Sequence, residues 1–384
     1  VGDPESAVEC IQENRILRRI ALGSFEENDG LFVAVTDEDA DFAPTFLEAC
    51  RTCGIPAERL EPAEALRLEP GLNPQLRLAV RVPDATMDAM RLPLRFLATA
   101  LAHGAVVLPF HLVTGLRCQG KTVTGVVATD LTSGRPVEVG ADIVVNAAGP
   151  WCGQIAAMAG AEVPIQPSPG VLVALWGRLC QMVVNRLHRA GDGDIVVPQR
   201  ALSIVGTSSW LVDDPDDLDV PHEHVDLMRR EGARLIPAVA RAPIRATWAA
   251  ARPLIGQHRR NPSPGAPDVP AGPVARPGSG TAAAGGSGAP GLGTPRPAEG
   301  ESAPPASGRE LSRTFRCFDH AVEDGVEGLV TIAGGKATTL RAMAEATADL
   351  VCRKLDLDAP CQTRETPLLP HTAYYALQAA RMAS

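Results

Sequence analysis

The sequence predicts an α/β protein in which a parallel-sheet domain stands beside a second domain built on a mixed sheet. Two segments repeat the order buried strand, small-residue turn, helix. One runs Ile143–Asn146 into Ala147-Ala148-Gly149-Pro150-Trp151 and the helix Cys152–Ala159; the other runs from Gly328 to Ala333 into Gly334-Gly335-Lys336 and a helix opening on Thr338 and Thr339. That order is half of a crossover unit, whose strands pair in parallel. The block between them, residues 160–250, changes character, with short strands at Val171–Trp176, Asp194–Val197 and Leu202–Gly206 and a helix over His222–Leu235.

The N-terminal elements follow from periodicity. Val8, Ile11, Ile16, Leu17 and Ile20 recur roughly at helical spacing among Glu and Arg, which predicts a helix over Glu5–Leu22. A strand at Leu31–Val35, a helix at Asp41–Cys53 and a short helix at Pro62–Leu68 come next, and Met87–Gly104 reads as a long helix stopped by Gly104. Three β-rich runs, Ala105–Leu108, Val113–Cys118 and Val123–Asp130, lead through Thr132-Ser133-Gly134-Arg135 to Val137–Val139, the pattern of a small meander. Residues 257–310 are Pro, Gly, Ala and Ser, a composition that buries too little area to offset its ordering entropy and predicts a disordered insertion. Its Gly286-Ser287-Gly288-Ala289-Pro290-Gly291 matches a dinucleotide fingerprint by letters only, because no strand precedes it and no helix follows.

Composition excludes several classes. The 384 residues are 45% apolar and 21% charged, as in soluble globular chains. A net charge of −9 leaves no general basic face for a nucleic-acid backbone, so nucleic acid is not an expected partner. Nine scattered cysteines fit a reducing compartment, and Cys50-x-x-Cys53, with no second pair at metal spacing, reads as core packing. No apolar run approaches the roughly 20 residues of a membrane span, so a cytoplasmic chain is expected, with peripheral docking on the inner face of the membrane as the alternative. The start at Val1, directly in helix-like sequence, reads as a cut.

The helix start after Gly334-Gly335-Lys336 is where chemistry is expected, since orphan N–H groups and about half a positive charge gather there and stabilise an anion. Val144-Val145-Asn146-Ala147-Ala148-Gly149-Pro150-Trp151 and Ile332-Ala333-Gly334-Gly335-Lys336-Ala337-Thr338-Thr339, with Ala251-Arg252-Pro253-Leu254 between them, resemble the flavin-dependent glycerol-3-phosphate dehydrogenases. Segments such as Glu5-Ser6-Ala7-Val8-Glu9-Cys10, Val82-Pro83-Asp84-Ala85-Thr86-Met87-Asp88, Ile204-Val205-Gly206-Thr207-Ser208 and Phe318-Asp319-His320 are similar to the anaerobic, quinone-linked subclass.

The resemblance implies an FAD-binding nucleotide fold that lacks its first βαβ unit, because the family's opening strand, phosphate loop and ribose-binding acid have no match here. It implies FAD as cofactor and a small phosphorylated polyol as substrate, with electrons accepted by a quinone or by a partner electron-transfer subunit. The implied reaction is hydride transfer from sn-glycerol 3-phosphate to the flavin, giving dihydroxyacetone phosphate. Residues 83–159 and 311–358 would make the remainder of the FAD domain, residues 1–82 and 160–256 the substrate domain, and residues 359–384 a tail.

Family roles fall on Arg252, Arg313 and Lys336 for the substrate phosphate, chemistry that suits a planar guanidinium fork and a compact ammonium. Thr207 and Ser208 would add hydroxyls to the pocket. Val113, Ala147, Ala148, Gly149, Trp151, Gly334, Gly335, Thr338 and Thr339 would hold the cofactor, and Lys336 and His320 are alternative proton acceptors. A family Lys-Gly pair in the substrate domain stands here as Pro169-Gly170. Two other readings stay open: a flavin oxidase of an amine or 2-hydroxy acid, and a non-catalytic remnant.

Overall fold

A computed structural model describes residues 3–189, 191–256 and 313–383. The predicted insertion at 257–310, with its Gly286–Gly291 motif, lies outside the described residues.

The first helix spans Pro4–Ile20, with the Asp3 carboxylate capping it by accepting the Ser6 N–H at 3.1 Å. Strand Gly30–Ala34 and helix Asp37–Thr52 follow, the latter opened by a capping box between Thr36 and Asp39. The predicted helix Met87–Gly104 begins later, at Arg91, because Thr86–Met87 is drawn into a two-stranded pairing with Phe25–Glu26. The run Ala105–Leu108 forms no strand, and its Val106 and Leu108 side chains are exposed.

One sheet has eight strands, ordered Ile244–Ile255, Ile165–Trp176, Leu202–Gly206, Ile195–Gln199, Val183–Arg186, Gly30–Ala34, Leu78–Val82 and Glu58–Leu60. Only Val183–Arg186 with Gly30–Ala34 is parallel, which makes the sheet mixed as expected. Val171, Val173, Leu175, Val205 and Val184 face the helix His222–Leu235 and its Met228 and Leu235 in the largest core cluster. Full burial of each such side chain contributes about 1.5–3 kcal/mol before entropy is counted.

A second sheet has three strands: Phe315–Asp319 antiparallel to the central Leu329–Gly334, which pairs in parallel with Val144–Asn146. Five of the six central residues, Leu329–Ala333, are buried, Thr331 among them. Val144–Asn146 is an edge strand whose Val145 is 44% exposed. The predicted meander is a separate antiparallel sheet of His111–Gln119, Thr122–Asp130 and Pro136–Gly140. Val123, Cys152, Phe318, Leu329 and Ala333 share one core, which seats the meander and the helix Cys152–Ala157 on the three-stranded sheet.

Candidate active site

Arg252 lies on the long strand Ile244–Ile255, in register opposite Ser168. Its Nη1 donates to the carbonyls of Ser168 and Pro169 at 3.1 and 3.3 Å, and its Nη2 to Thr207 Oγ1 at 2.8 Å and the Ser208 carbonyl at 3.3 Å. Gly170 makes this approach possible, since a Cβ there would stand 2.4 Å from both Arg252 Nη2 and Thr207 Oγ1. Arg252 and Thr207 are therefore together, as expected. Ser208 is not with them by its side chain: its hydroxyl is buried and accepts the Val171 N–H at 3.0 Å, so it serves the sheet instead of a pocket.

The same strand leads toward the glycine turn. Ile255 Cδ1 would lie 3.0 Å from a Cβ on Gly334, which places Arg252 roughly 10 Å back along the strand, three residues at the β rise. Gly334 and Gly335 both have positive φ, and the Gly335 N–H donates to the Thr314 carbonyl at 3.1 Å. The strand Phe315–Asp319 is entered through Arg313 and Thr314, so the backbone of Arg313 lies one residue from this contact with the turn. The Arg313 N–H is tied to the Asp3 carboxylate at 2.9 Å.

Beyond the turn, Ala337–Thr339 form one 3-10 turn that passes into the helix Leu340–Lys354. Thr339 Oγ1 accepts the Lys336 N–H and donates to its carbonyl, both at 3.0 Å, so its hydroxyl stiffens the turn. Thr338 Oγ1 meets Cys10 Sγ at 3.4 Å. Glu9, one residue earlier, has its carboxyl pushed up by burial and by Glu5 and Asp3, with Lys336 opposing, and its Oε2 is buried without a hydrogen-bond partner.

A groove of about 420 Å³ runs between the meander and the edge strand, lined by Val113, Ala147, Ala148 and Trp151 together with Leu112 and Val145. Four of the expected cofactor residues thus line one groove. Apart from Asn146 and the indole N–H of Trp151, which donates to Asp216 at 3.0 Å, the lining is apolar and suits a flat ring. Gly149, at φ +58°, has open space where its Cβ would be, leaving the backbone of the turn accessible. These features fit part of a flavin dinucleotide. A larger hollow of about 490 Å³ at Thr122–Thr124 and Gly140–Asp142 has Asp142 as its only ionisable side chain and offers no comparable chemistry.

His320 stands apart from the cations. It is fully buried, with Nδ1 2.6 Å from Asp324 Oδ2 and Nε2 2.8 Å from Thr331 Oγ1, so both ring nitrogens are engaged inside the core. That position corrects the expectation of a proton acceptor at the substrate. Sequence reasoning also passed over Arg341, which is buried among Glu13, Glu345 and Thr363; an arginine in a helix gives no local sign of a partner 328 residues away.

Residues 5–294 match the model of the FAD dependent oxidoreductase family. The chain belongs to that family. It is 38% identical over 370 residues to a subunit of the anaerobic glycerol-3-phosphate dehydrogenase of Escherichia coli K12, covering 96% of this chain and 60% of that protein. A subunit of the anaerobic glycerol-3-phosphate dehydrogenase of Haloferax volcanii is 37% identical over 378 residues, with coverage of 96% and 57%. The chain therefore spans about 60% of the length of these curated relatives. Among solved structures, the fold is shared with glycerol-3-phosphate dehydrogenase from Bacillus halodurans complexed with FAD, at TM-score 0.64 and 21% identity over 97% of this chain and 61% of that one. Glycine oxidase from Bacillus cereus gives a TM-score of 0.62 at 17% identity over 91% of this chain and 80% of that one. Among the described residues, no helix is long and apolar enough to cross a membrane.

Proposed function

We propose that the chain takes part in FAD-dependent oxidation of sn-glycerol 3-phosphate to dihydroxyacetone phosphate. In this reading electrons pass on, at the inner face of the membrane, to a quinone or to a partner electron-transfer subunit. The observation that carries the substrate is Arg252, a permanent charge held in one orientation by three carbonyls and Thr207, on the strand that ends beside the Gly334 turn. A fixed guanidinium of this kind suits a phosphate dianion. The similarity to the anaerobic glycerol-3-phosphate dehydrogenases supports the same substrate, and the designation of those relatives as subunits supports a partner.

Bound FAD supplies the acceptor for the hydride. The chain's residues do the rest: Arg252 and Arg313 hold the phosphate, the Gly334–Thr339 turn presents a helix start to developing negative charge, and Val113, Ala147, Ala148 and Trp151 cover the dinucleotide. Of the two proton acceptors expected, His320 is enclosed in the core and Lys336 follows the glycine turn, and we assign Lys336 the hydroxyl proton. The domain division is proposed along the sheets, the eight-stranded one for substrate and the three-stranded one with its meander for cofactor.

The test is the visible spectrum of the FAD-loaded chain without oxygen. Bleaching by sn-glycerol 3-phosphate but not by glycine or lactate, and its loss in Arg252→Ala, is the expected result. Bleaching by glycine or lactate alone would establish the oxidase reading, and a chain that retains no flavin would establish the remnant.

A further inference from the structure

A single-polarity line of hydrogen bonds runs from the cofactor groove into the core. The Ala148 N–H donates to Asn146 Oδ1 at 3.3 Å, and Asn146 Nδ2 donates to Thr331 Oγ1 at 3.2 Å and to the Cys152 carbonyl at 2.8 Å. Thr331 Oγ1 then meets His320 Nε2, whose other nitrogen meets Asp324. Asn146 is 3% exposed, and Thr331 and His320 are 0% exposed, so none of them can exchange a partner for bulk water.

The donor directions follow from chemistry. With Asp324 as acceptor and the imidazole neutral, the single ring proton sits on Nδ1 and Nε2 accepts. The Thr331 hydroxyl must then donate to His320, which leaves its oxygen to accept from Asn146. Both Asn146 N–H bonds are now spent, on Thr331 and on Cys152, and its carbonyl oxygen is left facing Ala148. The amide cannot flip without breaking three of these bonds.

We propose that Thr331 and His320 are positioning residues for the Ala147–Gly149 turn: acting through Asn146, they fix the Ala148 amide and hold the turn open along the groove. This inference rests on the reading of that groove as the FAD site. The strand Leu329–Gly334 then has two duties, delivering the glycine turn at its end and, through Thr331, setting the neighbouring turn across the sheet.

Thr331→Val keeps the side-chain shape and removes the hydroxyl, whereas Thr331→Ser keeps the hydroxyl. In Thr331→Val we expect amide hydrogen exchange in the segment 144–152 to quicken, and the dissociation constant for FAD to rise, each by about tenfold, the loss of roughly one buried hydrogen bond. Exchange over 244–255 should not change, and Thr331→Ser should stay within about twofold of the parent in both measurements. If Thr331→Val does not fold, His320→Asn interrupts the same line one residue further from the turn and should give the same local pattern. Exchange that quickens uniformly, or not at all, overturns the proposal. A parent chain that binds no FAD would sink the cofactor reading instead, and the exchange comparison would still decide the positioning role.

Discussion

Arg341 and Glu13 form a buried, two-pronged ion pair, with Nε to Oε2 at 2.7 Å and Nη2 to Oε1 at 2.5 Å, that joins the first helix to the helix leaving the glycine turn. One helical turn back on the same face, Cys10 meets Thr338, so the first helix braces the start of the second through polar contacts. Arg341 also reaches Glu345 at 2.7 Å, and Glu345 in turn holds Arg364.

Removing Glu13 takes the two-pronged partner from the buried Arg341 and leaves Glu345 as its counter-charge. Glu13→Gln is expected to lower unfolding free energy by about 1–3 kcal/mol, while the double change Glu13→Leu with Arg341→Met should recover most of it. Urea unfolding of the three variants measures this; a Glu13→Gln variant as stable as the parent would show that water reaches the pair.

Glu9 behaves in the opposite sense. Burial and the neighbouring Glu5 and Asp3 raise its carboxyl above the ordinary 4.5, so the folded state takes up a proton there more readily than the unfolded one. Its ionised form destabilises the fold above the raised value, and that cost vanishes as pH falls toward 4.5. Glu9→Gln should therefore melt higher than the parent at pH 7–8, with the gap closing on acidification. A gap that widens in acid would contradict the sign.

At Asp39, burial alone would raise the carboxyl, but Arg186, the Val35 N–H and Thr36 together pull it below its ordinary 3.8. Its contribution is complete above the unfolded value and lost as pH drops through the depressed folded one. Asp39→Asn should cost about 1–3 kcal/mol at pH 7 and flatten the acid limb of the stability curve below about pH 4. Thermal melts between pH 2 and 7 give the comparison.

Gly170→Ala separates the arginine from the flavin. The new methyl would stand where Arg252 Nη2 and Thr207 Oγ1 now approach to within 2.4 Å, so the guanidinium must swing away. FAD binding should be unchanged while KM for sn-glycerol 3-phosphate rises at least about tenfold, the loss of one charge-assisted contact. Unaltered KM would remove Arg252 from the substrate.

Much of this was legible in the sequence where local pattern and tertiary burial agree. Leu202–Gly206 and His222–Leu235 have the expected bounds, and both strand–turn–helix units are present. The strand Ile244–Ile255 was not foreseen: it is a largely exposed edge strand rich in Ala and Arg, and its extended form comes from pairing with Ile165–Trp176. The helical spacing of Leu340, Met343, Thr347, Leu350 and Val351 predicts the buried face of the last core helix; Thr347 is buried there as expected, but the other buried residue is Arg341. Hydropathy cannot anticipate a charge that is buried because its counter-charge arrives from the far end of the chain. His320 shows the same limit, since an Asp-His pair looks alike whether it faces a substrate or a threonine.

The strand that carries Arg252 ends at Ile255, beside Gly334, and the chain is described again at Arg313 and Thr314, against that same glycine. For a flexible loop the closure entropy grows only with the logarithm of length, so a connection of that kind between two such points would gain dozens of residues at a cost of about 0.6 kcal/mol per doubling. The two arginines can thus keep their spacing in space while their spacing in sequence drifts, so an alignment that penalises gaps heavily would discard relatives whose chemistry is unchanged.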